Sequence, residues 1–101
     1  KKTLKGLEQR NEALQAVHDI GLDGVVYFGD DDNGYDVQLF RELAHVRVVA
    51  VFPVGFVGKR NMERCEVDAA TGRVARFHTG WVGGRKFPVD MAGLALSTAA
   101  L

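Results

Sequence analysis

Residues 25–35 read "VVYFGDDDNGY": a short apolar, β-branched and aromatic run ends abruptly in three consecutive aspartates. The run is continuous rather than alternating and is bounded by Gly24 and Gly29. Those features predict a strand buried on both faces, the usual condition in a parallel sheet. Three like charges at its end repel one another and oppose folding unless something offsets them. In extended chain, Asp30 and Asp32 point to one side and Asp31 to the other.

The rest of the chain restricts what can surround this strand. With 101 residues, 47% hydrophobic and 26% charged, it builds at most one small-cored domain. The formal net charge is zero, so charge gives no argument for nucleic acid or a membrane surface. No apolar run approaches the roughly 20 residues of a membrane span, and no signal-peptide pattern is present. Cys65 is the single cysteine. It has no internal disulfide partner and reads as a small half-buried residue. The start at Lys1 and the apolar finish "LALSTAAL" read as a piece of a longer protein.

Leu4, Leu7, Asn11, Leu14 and Val17 recur at helical spacing, with Thr3 as a candidate N-cap and Gly21 as the stop. "DNGY" is turn chemistry. Asp36 is placed to cap "VQLFRELAHV", a helix with Leu39, Phe40 and Leu43 on one face. "VRVVAVF" is the next strand, halted by Pro53. Helix, strand, helix, strand reads as a layered α/β sheet. Beyond it, "ERCEVDAATGRVARFHTGW" predicts a hairpin around "DAATGR", and "GWVGGRKFP" a glycine-rich loop. "VDMAGLAL" reads as a last, core-forming strand, with Ser97 as a helix cap.

In open α/β sheets, ligands bind outside the carboxyl ends of strands, which is where the triplet lies. A divalent cation would relieve its repulsion, and carboxylate oxygens suit hard cations such as magnesium or manganese. So few protein ligands would leave a diphosphate to complete the shell. From the triplet alone, a solvated acidic turn and a metal–nucleotide site both remain open. A calcium loop of the EF-hand type fails: with Gly34 as its sixth position, Gly29 and Phe40 would occupy the first and twelfth. His18, His45 and His78 show no ligand spacing and read as structural or exposed.

"GLEQRNEAL", "GVVYFGDDDNGY", "LFRELAHVRVVAVFPVGFVG" and "RKFPVDMAGLAL" follow one another in this order. Together they closely resemble the β-1,3-glucuronosyltransferase family, glycosyltransferase family 43, over nearly all of positions 4–97. The resemblance implies a GT-A-type nucleotide-sugar transferase fold, of which the chain would be a central part. The implied reaction is inverting transfer of glucuronic acid from UDP-glucuronate to a terminal galactose, with Mn2+ as cofactor. It assigns Asp32 to the metal, Asp31 to the ribose, and Asp30, Arg10 and Lys5 to the donor site. Lys5 stands where the family carries an arginine, keeping the charge but not the planar fork. Glu63, Trp81, Arg85 and Asp90 match the acceptor side.

Lys86, where the family commonly has proline, and the stretch around Cys65 depart from the pattern. The family's general base would lie beyond Leu101, so the isolated piece is expected to be inactive. A Golgi-lumenal location, a membrane anchor outside this segment and a homodimer of the parent protein are further expectations from the resemblance. Two alternatives stand beside it. One is a non-catalytic relative acting through protein contacts; the other is a xylan-synthesis-type relative. A simple acidic cation-binding module would explain the triplet but none of the other motifs.

Overall fold

The computed structural model describes residues 6–55, 62–80 and 83–101. Helix α1 spans Leu7–Ile20. Its first residue follows Gly6, not Thr3, which lies outside the described residues, as does Leu4. Gly21 ends the helix in the left-handed conformation at φ 70°, donating its N–H to the carbonyls of Val17 and His18. Only glycine adopts that conformation without strain, which is why the helix stops there. Leu14 and Val17 are half-buried, on the face the spacing selects, and no residue of α1 is fully buried.

The apolar run forms β1, Val25–Tyr27, and α2 (Gln38–Leu43) leads to β2 (Val49–Val51). The Asp36 Oδ1 accepts from the Gln38 N–H at 2.8 Å, but the N-cap of α2 is Val37, one residue later than expected, without a side-chain cap bond. Leu39 and Leu43 are half-buried, but Phe40 is 67% exposed. The correction follows from length: a six-residue helix turns less than twice, and its contact stripe is too narrow to bury Phe40 as well.

β1 and β2 do not pair. The last strand, β6 (Leu94–Ser97), lies between them and is antiparallel to both. The parallel pairing expected for β1 is therefore corrected. A continuous apolar run does not specify the direction of a strand's partner, and the burial expected on both faces is corrected too: β1 is an edge strand, half-buried throughout. Ala95 stands opposite Tyr27 on one side and Ala50 on the other, and is 0% exposed. A second correction concerns "VDMAGLAL". Met91–Gly93 is a 3-10 turn, and the strand starts only at Leu94. Ala92, Gly93 and Ala95 are buried, as a core-forming segment requires.

A second sheet has the order β3 (Val54–Gly55), β4 (Met62–Val67) and β5 (Val74–His78), with antiparallel pairs throughout. β4 and β5 form the expected hairpin. Its loop is closed by Asp68, which exchanges backbone hydrogen bonds with Arg73 and Gly72 and accepts from the Ala70 N–H through Oδ1, all at 2.8 Å. Ser97 caps a final 3-10 turn, Thr98–Ala100. Cys65 is half-buried and unbonded to sulfur. Among the described residues, no helix is long and apolar enough to cross a membrane.

Candidate functional site

Pairing with β6 sets the site's position. Tyr27 opposes Ala95 and Val51 opposes Leu94, so β1 and β2 end at the same edge, and β6 begins there. Three segments therefore meet: the acidic loop after β1, the Phe52–Pro53 link after β2, and the Asp90–Gly93 turn before β6. They border an open cleft of about 690 Å³ whose lining includes Tyr27, Asp30, Asp32, Tyr35, Phe52 and Asp90. Its place outside the carboxyl ends of β1 and β2 is the one a ligand site takes in layered α/β sheets.

Asp30 and Asp32 line this cleft and Asp31 does not, although Asp31 and Asp32 form a turn and not the extended chain expected. All three are exposed. Asp30 accepts from Asn33 Nδ2 through Oδ2 at 3.2 Å, and its backbone carbonyl accepts from the Tyr35 hydroxyl at 2.7 Å. The Tyr35 ring stands edge-on to Tyr27, with centroids 6.2 Å apart and planes at 86°, a favoured aromatic arrangement. Tyr27 in turn donates its hydroxyl to the Ala92 carbonyl. Burial, then the charges of Tyr35, Asp30 and Asp90, push the Tyr27 phenol above its ordinary range. The group accordingly stays protonated and serves as a donor at neutral pH.

Asp90 reaches the cleft from the far side and also lines a small recess shared with Glu63, Arg64 and His78. Its Oδ1 accepts from the Ala92 N–H at 2.9 Å, which caps the 3-10 turn. No strand precedes it: residues 87–89 are irregular. Glu63 is 7% exposed. Its Oε1 accepts from Thr79 Oγ1 at 2.8 Å and from the Gly80 N–H at 2.9 Å. Without the family resemblance, a solvated surface position is the natural expectation for a glutamate in an alternating strand, and the structure buries this one. Arg85 is half-buried, and its Nη1 donates to the Val89 carbonyl at 3.5 Å.

Arg10 lies elsewhere. It is half-buried on α1 with its guanidinium packed over Gly6, and it is absent from the lining of the cleft. Lys5 and Trp81 lie outside the described residues. The structure thus sets Asp30, Asp32 and Asp90 around one cleft, puts Glu63 on a recess that Asp90 also lines, and leaves Arg10 outside the cleft lining.

Sequence reasoning missed the two tyrosines, Phe52 and Thr79. A signal existed for Tyr35: an aromatic residue directly after an Asn-Gly turn and five residues beyond Asp30. Nothing local in the sequence marks Tyr27 as facing a site rather than the core.

The cleft's charged donors are carboxylates. Among the described residues, no three His, Cys, Asp or Glu side chains converge as a metal-binding set. Asp32 still fits a hard divalent cation: its carboxylate lies at the cleft, and no hydrogen bond or ion pair among the described residues occupies it. Carboxylate oxygens suit magnesium and manganese, which keep waters and substrate phosphate oxygens as their remaining ligands.

A family model described as Glycosyltransferase family 43 matches residues 1–101. The chain is 44% identical over 110 aligned positions to human galactosylgalactosylxylosylprotein 3-beta-glucuronosyltransferase 3, covering 96% of this chain and 32% of the human protein. It is 40% identical over 97 positions to the enzyme of that name designated P in Drosophila melanogaster, covering 96% of this chain and 20% of the fly protein. To the human enzyme designated 2 it is 43% identical over 98 positions, 92% of this chain and 30% of that protein. The chain thus spans between a fifth and a third of the length of these relatives.

Proposed function

The chain belongs to glycosyltransferase family 43, and on that premise we propose that its parent protein is a metal-dependent inverting glycosyltransferase of GT-A fold. It moves glucuronic acid from UDP-glucuronate to a terminal galactose of a glycan, in keeping with the names of its relatives. The observation that carries this reading is that Asp30, Asp32 and Asp90 open onto one cleft at the carboxyl ends of β1 and β2.

Each residue then has a task. Cleavage of the sugar–phosphate bond leaves negative charge on the departing UDP, and bound Mn2+ supplies Lewis-acid stabilisation of that charge. Asp32 holds the cation. Asp31, which is not part of the cleft lining, takes the ribose, where a carboxylate accepts hydroxyl hydrogen bonds. Asp30 completes the donor side with Lys5 and Arg10. For Arg10 this requires that α1 approach the donor from outside the described cleft. Asp90 uses Oδ1 on its own turn, leaving Oδ2 for an acceptor hydroxyl. Glu63, Arg85 and Trp81 complete the acceptor side, and a general base from outside this segment takes the acceptor's proton. A Golgi-lumenal location, a membrane anchor elsewhere in the parent protein and a homodimer belong to the same proposal.

The experiment is UDP binding by the full-length protein, with and without Mn2+, followed by transfer from UDP-glucuronate to a galactose-terminated acceptor. Asp32→Ala is expected to abolish the metal-dependent part of UDP binding. If that part is unchanged in the variant, Asp32 does not hold the metal. Metal-dependent UDP binding without transfer would favour a non-catalytic relative.

A further inference from the structure

The acidic loop after β1 contains three adjacent carboxylates that repel one another, it is exposed, and residues 30–35 belong to no strand or helix. Such a loop opens unless it is held. The bond from the Tyr35 hydroxyl to the Asp30 carbonyl, at 2.7 Å, closes it across five residues. Its acceptor is backbone, so it takes up none of the carboxylate oxygens.

Behind Tyr35 the contacts continue into the opposite wall. The ring meets Tyr27 edge-on, and the Tyr27 hydroxyl donates to the Ala92 carbonyl. The N–H of that same Ala92 is held by the Asp90 carboxylate. Ala92 is thus tied through its carbonyl to β1 and through its N–H to Asp90. Two tyrosines connect the acidic loop to a turn roughly sixty residues further along the chain.

We propose that Tyr35, backed by Tyr27, is a positioning residue that holds the Asp30–Asp32 loop against the Asp90 turn and so sets the aim of Asp32 before ligand enters. This rests on the reading of Asp32 as the metal carboxylate. The physical basis is preorganisation: a loop already in its binding conformation loses less entropy when cation and diphosphate arrive. Neither tyrosine touches the reacting atoms in this scheme. Both act through the backbone carbonyls they grip.

The test uses the full-length protein and Tyr35→Phe, which removes the hydroxyl and keeps the ring. Mn2+ binding is followed by electron paramagnetic resonance in the presence of UDP. Loss of one hydrogen bond that orders the site is expected to weaken Mn2+ binding by about tenfold. In the ligand-free protein, amides of residues 30–36 are expected to exchange hydrogen faster, with the thermal midpoint close to that of the parent. Tyr27→Phe is expected to weaken Mn2+ binding in the same direction, and the double variant by less than the product of the two. The proposal is overturned if Tyr35→Phe leaves Mn2+ half-saturation within twofold, or lowers the thermal midpoint while leaving Mn2+ binding intact. Asp32→Ala separates the two levels. If it abolishes metal-dependent UDP binding while Tyr35→Phe changes nothing, only the positioning role fails. If it changes nothing, the metal assignment fails and the positioning role with it.

Discussion

The carbonyl oxygen of Phe52 lies 2.5 Å from where a β-carbon on Gly93 would stand. The Phe52 N–H also donates to the Gly93 carbonyl at 2.7 Å. The end of β2 and the turn before β6 therefore touch backbone to backbone, at the point where two segments bordering the cleft converge.

Gly93→Ala is expected to destabilise the full-length protein by about 1–3 kcal/mol, the usual cost of overpacking a tight site. The obstacle is backbone, so no side-chain rotation relieves it. Differential scanning calorimetry of the variant should show a lowered midpoint. Because Phe52 lines the cleft, UDP binding should weaken as well. A midpoint equal to that of the parent protein would show that the two backbones separate easily.

Glu63 carries both a packing role and a proposed acceptor role, and two substitutions separate them. Glu63→Gln keeps a carbonyl oxygen able to accept from Thr79 and Gly80 and removes the charge. Glu63→Ala removes the acceptor of the Thr79 hydroxyl and the Gly80 N–H, at a cost of about 1–3 kcal/mol. The expected pattern is a near-normal melting midpoint with a raised KM for acceptor in the Gln variant, and losses of both in the Ala variant. Equal acceptor KM in the Gln variant and the parent protein would remove Glu63 from the acceptor site.

On the β4–β5 hairpin, Glu66 accepts from Arg76 Nε and Nη2 at 2.8 and 3.0 Å, and its Oε2 lies 2.7 Å from His78 Nε2. The Arg76 bonds first, then His78, lower its pKa from an ordinary 4.5 to about 2. For a carboxylate depressed in the folded state, the stabilisation is fully present above pH 4.5 and disappears as pH falls toward 2. The melting-midpoint difference between the parent protein and Glu66→Gln should therefore be constant above about pH 5 and shrink to nothing through that window. It should also be small and sensitive to salt, since the pair is exposed. A difference that persists at pH 2 would contradict the ion pair as its source.

Much of the local structure was legible because it has local causes. Gly21 stops α1 by its left-handed backbone, Asp36 bonds the Gln38 N–H two residues on, Ser97 caps its 3-10 turn, and "DAATGR" closes a hairpin. In each case the deciding atoms are within a few residues. Phe40 shows where this reasoning stops: spacing selects a face, but only a neighbouring element can bury it.

The sequence by itself determined that Val25–Tyr27 would be a strand, that its end would carry the acidic triplet, and which motifs tie the chain to its family. Tertiary structure alone decided that β6 enters between β1 and β2 in the antiparallel sense. That choice brings Asp90 and Ala92 to the edge where the triplet lies. It also gives Tyr27 a partner 65 positions away. The reason is physical. Apolar patterning records how much of a strand is covered, whereas the identity and direction of its partner depend on hydrogen bonds between segments distant in the chain.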